Sequence, residues 1–196
     1  MAVFGLTGNL ASGKSTVLKL LKEKGAVVFD ADKKIHQYYK DRRCFIYKKI
    51  AAFFPQALQK GVISRKKLGG IVFADRKKLA TVERIVHPII ITDILKWVRL
   101  ARGKKRIYVA EVPLLFEKKL ISYFDGVILV LAKQDILIKR IVEKYNLSKA
   151  GAKNRLSLYI PIREKMKDAD FIINNSLSLK VLKKEVDLLW KKLNQD

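Results

Sequence analysis

Residues 8–15 read Gly8-Asn9-Leu10-Ala11-Ser12-Gly13-Lys14-Ser15, and this run limits the fold more than any other stretch of the chain. It satisfies G-x-x-x-x-G-K-[ST], a loop that wraps main-chain N–H groups around an anion when a strand leads in and a helix leads out. Both flanks are present. Ala2 to Leu6 is a short apolar run closed by glycine, and from Ser15 the spacing of Val17, Leu18, Leu20 and Leu21 predicts a helix ending near Gly25. At ordinary residue frequencies such a match arises by chance in under about 1% of chains of this length. The pattern predicts that Gly8, Ala11, Ser12 and Gly13 wrap phosphates, that Lys14 reaches the β and γ phosphates, and that the Ser15 hydroxyl joins the shell of a magnesium ion. Thr16 either touches the α phosphate or is an ordinary helix-start hydroxyl. ATP and Mg²⁺ are the expected ligands, and the loop leaves the phosphoryl acceptor open.

Four more β-branched or apolar runs follow, Ala26 to Phe29, Ile107 to Ala110, Val127 to Leu131 and Phe171 to Ile173. They are continuous rather than alternating, as in strands buried on both faces, so an α/β fold with a five-stranded parallel sheet between helices is expected. From Asp32 to Ile107 there is no convincing strand, and the stretch is too long for a loop. Its spacing predicts helices over Ile35 to Phe54, Arg65 to Phe73, Lys77 to Val86, and from Pro88 through Leu100. A second helical and basic insertion runs from Gln134 to Pro161, and Leu182, Val186, Leu189 and Leu193 mark a final amphipathic helix.

The acceptor side is read from what ends the strands, because ligands of open α/β sheets bind at the carboxyl edge. Asp30 and Asp32 follow the second strand, and in an extended segment residues two apart face the same way. Asp32 is the favoured base for an attacking hydroxyl, with Asp30 in support; Asp32 also suits a helix cap. Glu111 ends the third strand, a place for the acid that holds Mg²⁺ through water. Val112 to Glu117 is apolar for a loop, so it either lines an acceptor pocket or is packed core. His87 precedes Pro88, read as the first residue of a helix. Arg140 and Arg155 would neutralise phosphoryl charge if their segment closes over the site; for each, a solvated surface role stays open.

Taken together these segments resemble the dephospho-CoA kinase family. The matching pieces are Gly5-Leu6-Thr7-Gly8, Gly13-Lys14-Ser15-Thr16, Asp30-Ala31-Asp32, His87-Pro88, Val112-Pro113-Leu114-Leu115-Phe116-Glu117, Arg140, Ala169-Asp170 and Asn175-Ser176, in family order along nearly the whole chain. The resemblance implies a P-loop kinase with its nucleotide-binding core in 1-32, 104-133 and 162-196, a helical substrate-binding insertion in 33-103 and a helical lid in 134-161. It implies phosphorylation of the ribose 3′-hydroxyl of dephospho-CoA by ATP, giving coenzyme A and ADP. Lys14, Asp32 and Arg140 would be catalytic, Asn175 would lie near the adenine, and Thr7, Asp30, His87, Pro113, Leu114 and Glu117 would border the acceptor. The chain departs from the family pattern at Ala11, a usual loop glycine, at Lys144-Tyr145, often Arg-Asp, and at Tyr159, often Gln. Ala11 strains the loop only if its φ is positive.

The formal net charge of +24 attracts polyanions, either nucleic acid or phosphorylated metabolites. The basic residues are dispersed from Lys14 to Lys192, and no helicase series or nucleic-acid signature accompanies them, so no specific nucleic-acid partner is expected. A nucleic-acid-stimulated ATPase and a kinase of nucleoside monophosphates remain the competing readings. A single cysteine, Cys44, excludes an intrachain disulfide, and no apolar run approaches the roughly 20 residues of a membrane span. A cytoplasmic monomer or weak homo-oligomer, without membrane attachment, is the expectation.

Overall fold

The opening apolar run becomes β1 (Val3–Gly8), buried throughout, and the glycine loop leads into α1 (Lys14–Glu23), which turns Val17, Leu18 and Leu21 inward. β2 (Val27–Asp30) follows. The computed structural model describes residues 2–73 and 75–195; positions 1, 74 and 196, inside the expected core and insertion ranges, lie outside the described residues.

Next come α2 (Ala31–Lys40) and α3 (Phe45–Phe53), where the spacing predicted one helix over 35–54. The break is local: the Asp41 carboxylate accepts from the Arg43 N–H at 2.9 Å, a side-chain turn that competes with helix. After a 3₁₀ turn at Pro55–Ala57, β3 (Leu58–Gln59) and β4 (Val62–Ile63) pair as an antiparallel hairpin, in a stretch that showed no strand signal. α4 (Arg65–Val72) is capped by Ser64. α5 (Arg76–Ala101) runs unbroken through Pro88, which corrects the expected helix start there. Val86, Ile90, Ile94 and Val98 are all buried at helical spacing, and that stripe outweighs the bond lost at proline.

β5 (Tyr108–Glu111) and β6 (Gly126–Leu131) are followed by α6 (Gln134–Tyr145), α7 (Lys149–Leu156), α8 (Ile162–Lys167), β7 (Phe171–Asn174) and α9 (Leu179–Leu193). The five long strands form one parallel sheet in the order β2-β5-β1-β6-β7. Two carboxylates brace strand starts: Asp125 accepts from Val3 N–H and Asp170 from Val127 N–H, each at 2.7 Å. Leu6, Val109, Ile128 and Val130 meet α1 and the apolar stripe Leu182, Val186, Leu189 and Leu193 of α9 in the main core. Each such side chain is worth about 1.5–3 kcal/mol of burial.

The chain divides into two compact units, one of Met1–Asp30 with Lys96–Asp196 and one of Ala31–Leu95. The second has its own interior, with Ile46, Ile50, Ala57 and Ile94 almost fully buried and the Tyr38 hydroxyl donating to the Asp93 carboxylate. No helix among the described residues is long and apolar enough to cross a membrane.

Candidate active site

The phosphate loop starts where β1 ends. Ser12 N–H donates to Asn9 O at 3.1 Å, and Thr16 and Val17 N–H groups donate to Gly13 O at 3.0 and 3.1 Å, so the loop closes directly into α1. Gly13 caps that helix with φ at 96°, a left-handed conformation costly for any side chain. Ala11 stands at φ 61°, so the replacement of the usual glycine carries the strain that a positive φ implies. The Lys14 ammonium folds over the loop, donating to Gly8 O at 3.0 Å and Asn9 O at 3.1 Å. Ser15 and Thr16 are exposed on the first helical turn, where the helix dipole favours anions.

Two residues from distant elements complete this surface. The Asn175 side chain, just past β7, donates to Ser12 O at 2.8 Å, and a Cβ on Gly13 would collide with the same amide. Arg140, on α6, donates to Ala11 O at 3.3 Å and Asn175 O at 3.0 Å. The structure thus brings together Gly8, Ala11, Ser12, Gly13, Lys14, Asn175 and Arg140. The hydroxyls of Thr7 and Ser12 are buried without a hydrogen-bond partner among the described residues, and Thr7 lies within β1 opposite Leu129.

The sheet register sets the acids. Leu6 of β1 pairs with Glu111 of β5, and Glu111 pairs with Asp30 of β2, so both carboxylates stand at the carboxyl edge from which the loop springs. Glu111 is only 1% exposed. Beyond it the Val112 N–H donates to Leu6 O at 2.8 Å; Pro113 and Leu114 are half-buried, and Leu115 is fully buried. Glu117 is ion-paired to Lys165 at 2.8 Å.

Arg155 is buried, not solvated, with its guanidinium 4.0 Å from the centre of the Tyr145 ring. Burial pulls its pKa down, against Tyr145 and Tyr159. No sequence signal marks this burial, because any one cation is hidden among 42 Lys and Arg residues.

In the second unit, Asp32 lies in the first turn of α2, because the helix starts at Ala31 directly after the strand. Strand alternation therefore does not relate it to Asp30. Its carboxylate faces the Arg65 guanidinium at 3.7 Å, both side chains about half exposed. His87 is half-buried in the interior of α5 rather than before a helix start.

A family model described as "Dephospho-CoA kinase" matches residues 2–180. The chain belongs to the dephospho-CoA kinase family. It is 34% identical over 198 residues to the dephospho-CoA kinase of Aquifex aeolicus, covering 100% of both chains. It is 36% identical over 190 residues to that of Helicobacter pylori, covering 96% of this chain and 95% of the relative. The solved dephospho-CoA kinase of Campylobacter jejuni superposes with a TM-score of 0.66 at 29% identity, covering 98% and 97% of the two chains. The α/β sheet, the loop and the helices around it are those of a P-loop kinase of this family.

Proposed function

We propose that this chain transfers the γ phosphoryl group of ATP to the ribose 3′-hydroxyl of dephospho-CoA, releasing ADP and coenzyme A, with Asp32 as the base. The observation that carries the nucleotide half is the meeting of Lys14 and Arg140, from α1 and α6, on the carbonyls of one short loop. Two cations fixed there counter charge on the phosphoryl oxygens as it develops. The loop N–H groups and the start of α1 hold the remaining phosphates. Asp32 takes the proton of the hydroxyl as its oxygen bonds to phosphorus and the bond to the β-γ bridging oxygen breaks. Arg65 orients that carboxylate. Asp30, His87, Thr7, Pro113, Leu114 and Glu117 border the acceptor on this reading.

The donor set fits magnesium. Among the described residues no group of three or more His, Cys, Asp and Glu could hold a metal by itself. A helix-start hydroxyl, Ser15, and one buried carboxylate, Glu111 acting through water, instead suit a hard cation that arrives on nucleotide phosphates. When bound, Mg²⁺ neutralises the β and γ oxygens. The chain would work in the cytoplasm as a monomer or weak homo-oligomer, on a small-molecule acceptor rather than on nucleic acid. The single Cys44 suits a reducing compartment.

An ADP-release assay with Mg-ATP and dephospho-CoA, AMP, dTMP or single-stranded DNA tests the reading, with Lys14→Ala as control. Turnover with dephospho-CoA, lost in the control, is expected. Turnover confined to AMP or dTMP would replace the acceptor, and hydrolysis stimulated by DNA would replace the reaction class.

A further inference from the structure

Lys165 is 0% exposed, although lysine is among the side chains least often buried. A buried ammonium has to be paired, and its Nζ donates to Glu117 Oε1 at 2.8 Å. Two aromatic faces complete the cage: Phe116, with its ring centre 5.8 Å from the nitrogen, and Tyr159, at 5.7 Å. Three pieces of chain converge on this one charge. Phe116 and Glu117 belong to the turn after β5; Tyr159 lies near the end of the 134–161 stretch expected to act as a lid; Lys165 sits on α8, which leads into β7 and on to Asn175.

The pair is poorly arranged for stability alone. Glu117 Oε2 is buried and has no hydrogen-bond partner among the described residues, and a buried ion pair often gives way to apolar residues without loss. A directional bond supplies what apolar contact does not, a fixed place for the carboxylate. The segment so fixed starts at the ligand edge of the sheet, where Val112 N–H is bonded to Leu6 O at 2.8 Å, two residues before the phosphate loop.

We propose that Lys165 is a positioning residue, which sets the Val112–Glu117 segment against the phosphoryl acceptor by holding Glu117. This rests on the reading that the segment borders dephospho-CoA. Lys165 touches no reacting atom, so its removal alters acceptor handling and spares the nucleotide. Tyr159 joins the lid stretch to the same anchor.

The test compares the full chain with Lys165→Met, Glu117→Gln and the double variant. The readouts are the dissociation constant of a non-hydrolysable ATP analogue, kcat and KM for dephospho-CoA, the melting temperature, and amide exchange over 112–120. Lys165→Met strands a buried carboxylate and lowers the melting temperature, and the double variant recovers it. In the double variant kcat/KM for dephospho-CoA stays about 10²-fold down, 112–120 exchanges faster, and analogue affinity holds within about twofold. If Lys165→Met fails to fold, the double variant supplies the comparison. Parental kcat/KM and parental exchange in the double variant would overturn the inference, as would analogue affinity falling in step with kcat/KM. A parent inactive on dephospho-CoA would fail the functional reading and the inference with it, a result distinct from an active parent and an equally active double variant.

Discussion

The Asn175 side-chain amide donates a 2.8 Å hydrogen bond to the carbonyl oxygen of Ser12, 163 residues earlier in the chain. It occupies the space that a side chain at Gly13 would need. Together they tie the loop's backbone at Ser12 and Gly13 to the end of β7.

Asn175→Ala should therefore weaken nucleotide binding while leaving the fold intact. One neutral hydrogen bond is worth about 1 kcal/mol, so a rise of roughly fivefold in the dissociation constant of Mg-ATP is expected by calorimetry. Unchanged affinity would mean that the loop keeps its shape without the brace.

Ala11→Gly should stabilise the protein. The left-handed φ of 61° costs an alanine about 1–2 kcal/mol, part of which glycine returns through the entropy of the unfolded chain. A net gain of up to about 1 kcal/mol corresponds to a rise of about 2–4 °C in melting temperature for a chain of this size. A fall on calorimetric melting would contradict the strain assigned to this position. The Arg140 bond is made to the main-chain carbonyl and is kept in the variant.

Sequence and structure agree where periodicity is enforced by burial on both sides. The central strands β1, β5 and β6 are legible because their apolar residues are buried on both faces, and α9 because its apolar residues form one buried stripe. The edge strands β2 and β7 are legible as short β-branched or aromatic runs although they are only partly covered. The α2–α3 break is not legible, because it is made by Asp41 capping Arg43, a bond that leaves the apolar spacing untouched. Proline misled in the opposite sense: Pro88 reads as a helix start, yet the buried stripe of α5 carries the helix through it. At the site, the loop was legible because glycine and lysine at fixed spacing have a geometric meaning. The brace by Asn175 and the burial of Lys165 and Arg155 depend on contacts between residues far apart in the chain, and no local pattern encodes them.

Asp32→Asn should lower kcat by about 10²- to 10⁴-fold, the usual worth of a positioned base, and leave Mg-ATP affinity unchanged. Steady-state kinetics with dephospho-CoA beside a binding titration separate the two. Full turnover in the variant would remove Asp32 from the base role.

Arg140→Ala should act chiefly on kcat, by about 10²-fold or more, as for other donors aimed at developing charge. Single-turnover rates at saturating Mg-ATP check this. An effect confined to ATP affinity would assign Arg140 to ground-state binding.

His36 gives the chain an acid limb. Burial first, then Lys40 and Arg65, hold its pKa below the usual 6.5, so the folded form keeps it neutral where the unfolded chain takes up a proton. Its contribution is present above the unfolded pKa and is lost as the pH falls through 6.5 toward the folded value. Melting temperatures of His36→Gln should fall less steeply than the parent's between about pH 7 and 5. Parallel slopes would show that other groups set the acid limb.

The sheet order has a further consequence during synthesis. β1 is made before every strand it pairs with, and its neighbours are residues 108–111 and 126–130. At about 5–20 residues per second, on the order of ten seconds separate the emergence of the glycine loop from that of its supports. Until then a strand that is buried along its whole length has no partner. The phosphate loop is translated among the first elements and assembled among the last, so a nascent chain cannot be held folded by nucleotide until β6 has left the ribosome.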